Sequence, residues 1–281
     1  MEKIESISCS SEPEGISDYN DETELFELES DGFIKGLVEK MFSESQQITQ
    51  EDKARLGILC QHSCGRQSFA KHIDAQRVYS KCVDEMTFFR LVQYFAVVLF
   101  ECHQADDFGP AMNLMNMCFT YYHELSDTEE IDQTPQKEFL SVYLKNQPIW
   151  QSMRYWNAAF FESIHNDRFP AVITNEVWDS WSTQEKLDYA ECDKNSLFGK
   201  LGTFVSNMRA FGLGREMCLE FLHKMSTIGD LEPDQIQLLE KNFEREEECV
   251  PVQSRSRPSL TSPPTSPAPT SPNRELASPE F

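Results

Sequence analysis

The sequence predicts an all-α protein: a single multi-helix domain, either an antiparallel bundle or a short α-superhelix, between disordered flanks. Three observations carry this expectation. Apolar residues recur at spacings of three and four along one segment after another, the period of a helix that buries one face. Strand-like alternation is absent throughout. The run Pro148–Ser163, PIWQSMRYWNAAFFES, gathers two Trp, two Phe and a Tyr into four helical turns. The expected limits are an acidic disordered leader over 1–30, a helical domain over 31–249, and a disordered Pro/Ser-rich tail over 250–281.

The helical period begins near Asp31, with Phe33, Ile34, Leu37, Val38, Met41 and Phe42 on one face. Thr49 is placed to cap a helix carrying Leu56, Ile58 and Leu59, because its hydroxyl can accept from an orphan backbone N–H. Phe69, Ile73 and Val78 mark the next helical pattern. Asp84 caps the segment from Glu85 to His103. There Phe88, Leu91, Val92, Phe95, Val98 and Leu99 leave so little polar face that near-complete burial is expected. Asp106-Asp107-Phe108-Gly109-Pro110 makes a corner, with Pro110 as first residue of a helix through Met112, Met115, Phe119 and Tyr122. An acidic loop, Ser126 to Pro135, leads to a helix with Phe139, Val142 and Leu144.

Pro148 suits the first position of the aromatic helix, where a missing N–H costs nothing. Ile149, Met153, Trp156, Phe160 and Ile164 then form a stripe that Trp150 and Phe161 widen. Trp150, Trp156, Phe160 and Phe161 are therefore the expected core aromatics. Each buried ring removes roughly 150–250 Å² from water. Ser182-Thr183-Gln184-Glu185 fits a capping box. Ser196 to Phe211 stops at Gly212, and helices over Arg215–Met225 and from Pro233 to about Glu248 complete the domain.

The leader sets Glu12, Glu14, Asp18, Asp21, Glu22, Glu24, Glu27 and Glu29 against a single Lys3. Such charge opposes ordering. Leu25, Phe26 and Leu28 interrupt the acid, a pattern open to a solvated leader or to a docking helix for a basic, apolar partner. The tail, Ser254 to Pro279, has no aromatic residue and is mildly basic at Arg255, Arg257 and Arg274. Ser262, Ser266, Ser271 and Ser278 each precede Pro, the arrangement of proline-directed kinases, and are the candidate phosphosites. Pro264–Pro267 and Pro269–Pro272 are PxxP strings. Both an inert spacer and a regulated binding element fit this tail.

A formal charge of −22 repels nucleic-acid backbones and anionic lipid, and favours protein partners with basic faces. No nucleic-acid role is expected. Met1-Glu2-Lys3-Ile4-Glu5 has no secretory apolar core. The longest apolar run, Leu91 to Phe100, is too short to span a bilayer. Nine Cys without disulfide-scaffold spacing suggest reduced thiols and a cytoplasmic location.

Few constellations suggest chemistry. Cys60-Gln61-His62-Ser63-Cys64, with His72 and Cys82 downstream, resembles a metal cluster only in composition. Tetrahedral zinc needs four converging ligands, and structural thiols are the expectation. Cys102-His103 beside Asp106 and Asp107 has the residue types of a thiol dyad, yet helix neighbours point in different directions. Asp107-Phe108-Gly109 spells a kinase magnesium triplet without the rest of a kinase. Gly199, Gly202, Gly212 and Gly214 are too sparse for a phosphate cradle. No catalytic, cofactor or metal residue is assigned, and no cofactor is expected.

Two stretches carry a family resemblance. Trp150 followed by Tyr155-Trp156-Asn157-Ala158-Ala159-Phe160-Phe161-Glu162-Ser163-Ile164 resembles a stretch of the SET-binding-factor pseudophosphatases. These are DENN-containing proteins of the myotubularin group with relatives among Rab exchange factors. Upstream, Cys102-His103-Gln104-Ala105-Asp106-Asp107-Phe108-Gly109-Pro110-Ala111-Met112, running on to Phe119, Tyr121 and Tyr122, resembles the helix–turn–helix before it. The likeness covers roughly Phe33 to Glu240. No DENN segment, Cys-x5-Arg phosphatase loop or lipid-binding domain accompanies it. The resemblance implies a helical fold and a tie to membrane-traffic scaffolding, and no activity. A non-enzymatic adaptor is the expected function. Direct regulation of a small GTPase is the alternative.

Overall fold

Helix α1 (Ser17–Met41) starts well inside the acidic segment that the sequence assigns to a disordered leader. Glutamate is a good helix former, and carboxylates near a helix N-terminus oppose its dipole favourably. Residues Thr23 to Glu29 are exposed, and Ser30 is the first buried position. Residue 30 therefore marks where burial begins, not where the helix begins. The computed structural model describes residues 17–43, 47–125, 136–168 and 175–248.

Helix α2 (Gln50–Cys60) opens on a reciprocal capping box: Asp52 N–H donates to Thr49 Oγ1 at 3.1 Å, and Thr49 N–H to Asp52 Oδ2 at 3.0 Å. Helix α3 (Ser63–Gln76) follows after a two-residue turn, with its start pressed against the end of α2. A Cβ on Gly65 would lie 2.1 Å from the Leu59 carbonyl oxygen, so only glycine permits this approach. Val78 falls beyond α3 and is 82% exposed. Asp84 caps α4 (Glu85–Gln104) by accepting from Thr87 N–H at 2.9 Å.

Helix α5 (Phe108–Cys118) begins two residues before Pro110 and ends before Phe119. The expected continuation through Tyr122 is corrected, because the chain turns there into a hairpin. Strand β1 (Tyr122–Leu125) pairs antiparallel with β2 (Gln136–Phe139), Tyr122 opposite Phe139. Only Leu140–Leu144 of the next predicted helix is helical, as α6. The acidic loop between the strands lies outside the described residues.

The aromatic run is divided as well. Pro148–Gln151 forms a 3-10 turn, Ser152 is extended, and α7 (Met153–Arg168) starts afresh. Helix α8 (Asn175–Ser180) precedes α9 (Thr183–Ala210). Helix α9 starts from the Ser182–Glu185 capping box and is continuous through the predicted start at Ser196. Gly212, at φ 81°, takes the left-handed turn that ends this region. Helices α10 (Arg215–Ile228) and α11 (Pro233–Glu248) complete the described chain.

Packing follows chain order. Helix α1 lies on α3, α3 on α5, α5 on α7, α7 on α9 and α9 on α11, while α2 reaches α4 and α4 reaches α6. Sequential helices also pack together, α2 on α3, α4 on α5 and α9 on α10, so the chain forms one multi-helix all-α domain. Aromatic side chains join the Trp150–Phe160 region to α9, α10 and the turn between them. Trp150 stacks on Phe211 with ring centres 4.5 Å apart, and Phe160 meets Phe204 and Phe221 at 5.3 and 5.6 Å. The buried indoles keep their hydrogen bonds: Trp150 Nε1 donates to Leu144 O at 2.9 Å, and Trp156 Nε1 to Trp150 O at 2.7 Å.

Candidate protein-interaction surface

Helix α4 lies centrally in the domain, against α2, α3, α5 and α6. Its inner face buries Phe88, Leu91, Phe95, Val98, Leu99 and Cys102. Near-complete burial is expected from the sequence, but the outer face is open. Met86, Gln93, Val97 and Phe100 follow one another at helical spacing along it, with Met86 54%, Val97 41% and Phe100 46% exposed. Val142, on the neighbouring α6, is also exposed. Met86, Val97 and Phe100 thus leave apolar surface open to solvent on a central helix, interrupted by Gln93. The periodic apolar pattern hid it, because a helix apolar all round reads as buried.

Polar side chains near the corner before α5 serve the fold. Asp107 receives Arg66 Nε at 2.9 Å, Arg66 Nη2 at 2.8 Å and the Ser63 hydroxyl at 2.9 Å. Arg66 Nη1 also donates to the carbonyls of Cys60 and Gln61 at 2.9 and 3.0 Å, satisfying orphan acceptors at the end of α2. The guanidinium is 5% exposed and the carboxylate 17%. Asp107 of the Asp-Phe-Gly triplet is thus an anchor between α3 and the α4–α5 corner. Asp106, at φ 50°, pairs with Arg154 at 2.9 Å. Arg66 was missed by sequence reasoning. Its signal is a charge at the head of an apolar stripe shared with Phe69, Ala70 and Ile73.

The thiol candidates disperse. Cys60 and Cys102 are buried, and burial pushes each thiol up to about 12; Arg66 pulls against that rise in both. Such thiols stay protonated at neutral pH and are poor nucleophiles. His62 precedes α3 with its ring against Phe26 and makes no side-chain cap hydrogen bond, and His72 Nε2 lies 3.0 Å from Asp31 Oδ1. Cys64 is half-buried and Cys82 exposed. Among the described residues no three His, Cys, Asp or Glu side chains gather as a metal site. The sparse glycines line helices and turns: Gly199 and Gly202 lie within α9, Gly212 and Gly214 between α9 and α10.

A second polar knot, also unforeseen, fixes the hairpin. His123 lies against the Phe88 ring at 4.3 Å, with Nε2 3.0 Å from Glu138 Oε2, which also accepts from Tyr143 OH at 3.0 Å.

Of the four expected core aromatics, Trp150, Trp156 and Phe160 are buried, each 1% exposed or less. Phe161 departs from expectation at 44% exposed, because one residue along a helix rotates it away from Phe160. Ser262, Ser266, Ser271 and Ser278 lie outside the described residues. Among the described residues no helix is long and apolar enough to cross a membrane.

The sequence has known relatives. The family model described as SBF2, myotubularin protein, matches residues 38–214, from the buried face of α1 to the turn after α9. The human uncharacterized protein KIAA0513 is 35% identical over 310 residues, covering 76% of this chain and 75% of its own length. No solved structure is significantly similar. The matched residues hold the α4 stripe, the Arg66–Asp107 anchor and the buried tryptophans, and the chain belongs to the SBF2, or SET-binding-factor, family of myotubularin-related proteins.

Proposed function

We propose that this protein is a non-enzymatic cytoplasmic adaptor, which binds other proteins through exposed helical faces beside membrane-traffic, cytoskeletal or signalling scaffolds. The apolar stripe of Met86, Val97 and Phe100 is the observation that carries this reading. Asp107 is paired with Arg66, His72 with Asp31, and the Cys60 and Cys102 thiols are buried. The family supports the same direction, because its pseudophosphatase members act without catalysis. Charge adds a preference: with −22 overall, partners with basic faces are drawn to the protein. The unit that binds is the helical domain ending near residue 249. The Pro/Ser-rich tail beyond it is separable and is phosphorylated at Ser262, Ser266, Ser271 or Ser278.

The test compares the full chain with a Val97→Glu, Phe100→Glu variant. Equal melting temperatures with loss of captured protein partners support the adaptor reading. Nucleotide release from a small GTPase, accelerated by the full chain, would replace it with direct GTPase regulation. Turnover of a phosphoinositide or phosphopeptide would refute it.

A further inference from the structure

Helix α8 and the first turns of α9 form a hairpin that adds nothing to the main core. The first buried residue of α9 is Leu197, fourteen residues into the helix. The hairpin has a small aromatic cluster of its own. Trp178, Trp181 and Tyr189 form a triangle with ring centres 5.5 to 6.0 Å apart and planes inclined by 47° to 78°. Lys186 sits 5.5 Å over the Trp178 ring. Trp178, Val177 and Leu187 are 37%, 43% and 59% exposed. Inclined, part-exposed aromatic rings are the kind of surface on which proline rings of an extended segment pack.

The geometry points to an intramolecular occupant: the protein's own proline-rich tail, centred on Pro263–Pro272, docks on the Trp178–Trp181–Tyr189 cluster. Charge complements shape. Asp179, Glu185, Asp188, Glu191 and Asp193 outnumber Lys186 and Lys194 on the hairpin. Residues 251–274 carry Arg255, Arg257 and Arg274 and no carboxylate.

Reach is sufficient. Helix α11 runs parallel to α9: Lys194 meets Glu232 near its start, and Arg209 donates to the Phe243 carbonyl near its end. From that end back to Tyr189 is about 25 helical residues at ~1.5 Å each, roughly 40 Å. Residues 249–262 reach about 46–50 Å at full extension of ~3.3–3.6 Å each. Tethering makes the docking intramolecular, so its extent does not depend on protein concentration. Phosphates at Ser262, Ser266 and Ser271 would each add about −1.5 to −2 charges and set the tail against the acidic hairpin.

The four tryptophans provide the test. In the ¹⁵N-labelled full chain, the indole N–H signals of Trp150 and Trp156 report the core, and those of Trp178 and Trp181 report the hairpin. Replacing Pro263, Pro264, Pro267, Pro269 and Pro272 by Ala should shift the Trp178 and Trp181 signals and leave the other two in place. Phosphorylation of the full chain by a proline-directed kinase should reproduce those shifts. Four unmoved indole signals would overturn the docking. Shifts that vanish on dilution would assign the occupant to a second copy and overturn the intramolecular form. Shifts at Trp150 and Trp156 would make the tail part of the core.

Discussion

Removing the Asp107 carboxylate puts the polar anchor to a quantitative test. In Asp107→Ala the Arg66 guanidinium, 5% exposed, keeps its bonds to the Cys60 and Gln61 carbonyls but loses its counter-charge. Both partners are well below a third exposed, so solvent screening gives little relief. Breaking such a buried pair from one side costs about 3–5 kcal/mol. That is a large share of the roughly 5–15 kcal/mol that holds a typical domain folded. Replacing both partners, as in Arg66→Met with Asp107→Leu, removes the stranded charge and should recover part of the loss. Recovery stays incomplete, because the Cys60 carbonyl is left without its donor at a cost of about 1–3 kcal/mol. Urea melts of the two single variants and the double variant measure the coupling. A loss below about 1 kcal/mol in Asp107→Ala would refute the anchor, as would full recovery in the double variant.

Other expectations follow from burial. Trp156→Ala and Phe160→Ala should each cost about 3–5 kcal/mol in urea melts. Phe161→Ala, one residue along but 44% exposed, should cost about 1 kcal/mol or less. Timed alkylation should label exposed Cys82 and Cys192 rapidly and half-buried Cys64 more slowly, while Cys60, Cys102, Cys118 and Cys218 react only on unfolding; peptide mapping reads this directly. The Ser68 hydroxyl bonded to Asp31, and the Thr49 backbone N–H bonded to Asp52, hold these carboxyls below the ordinary range. Their stabilising contribution is full above the unfolded value of about 3.9 and is lost as pH falls through the depressed folded values. Asp31→Asn should therefore lower stability at pH 7 and lose its effect toward pH 2, as urea melts across that range would show.

Helix starts were legible where the signal is local. Thr49 with Asp52, Asp84, and Ser182 with Glu185 each place a side-chain oxygen three residues from the donor it satisfies, so the sequence alone locates them. Features set by distant partners were not legible. Strand β2, Gln136–Phe139, has no alternation to reveal it; its pairing with β1 is fixed by Tyr122 opposite Phe139 and by the His123–Glu138–Tyr143 knot. Pro148 to Ile164 reads as one helix, since the break at Ser152 leaves the apolar spacing nearly intact. Yet the break lets Trp150 stack on Phe211 while Trp156 donates to the Trp150 carbonyl. The acidic front of α1 is ambiguous in sequence, because charge that opposes ordering in a leader also suits a helix N-terminus. The α4 stripe stayed hidden for a further reason: Val97 and Phe100 differ from Val98 and Leu99 only in the direction they face, which the surrounding helices decide.

Site-specific photo-crosslinking in cells tests the adaptor reading most directly. A photoreactive phenylalanine analogue replaces Phe100 on the α4 stripe, and the control places it at Lys224, exposed on α10. The account predicts discrete higher-mass adducts with other proteins from position 100, few from position 224, and loss of those adducts when Val97→Glu is added. Absence of adducts at position 100, or the same adducts from both positions, would contradict it.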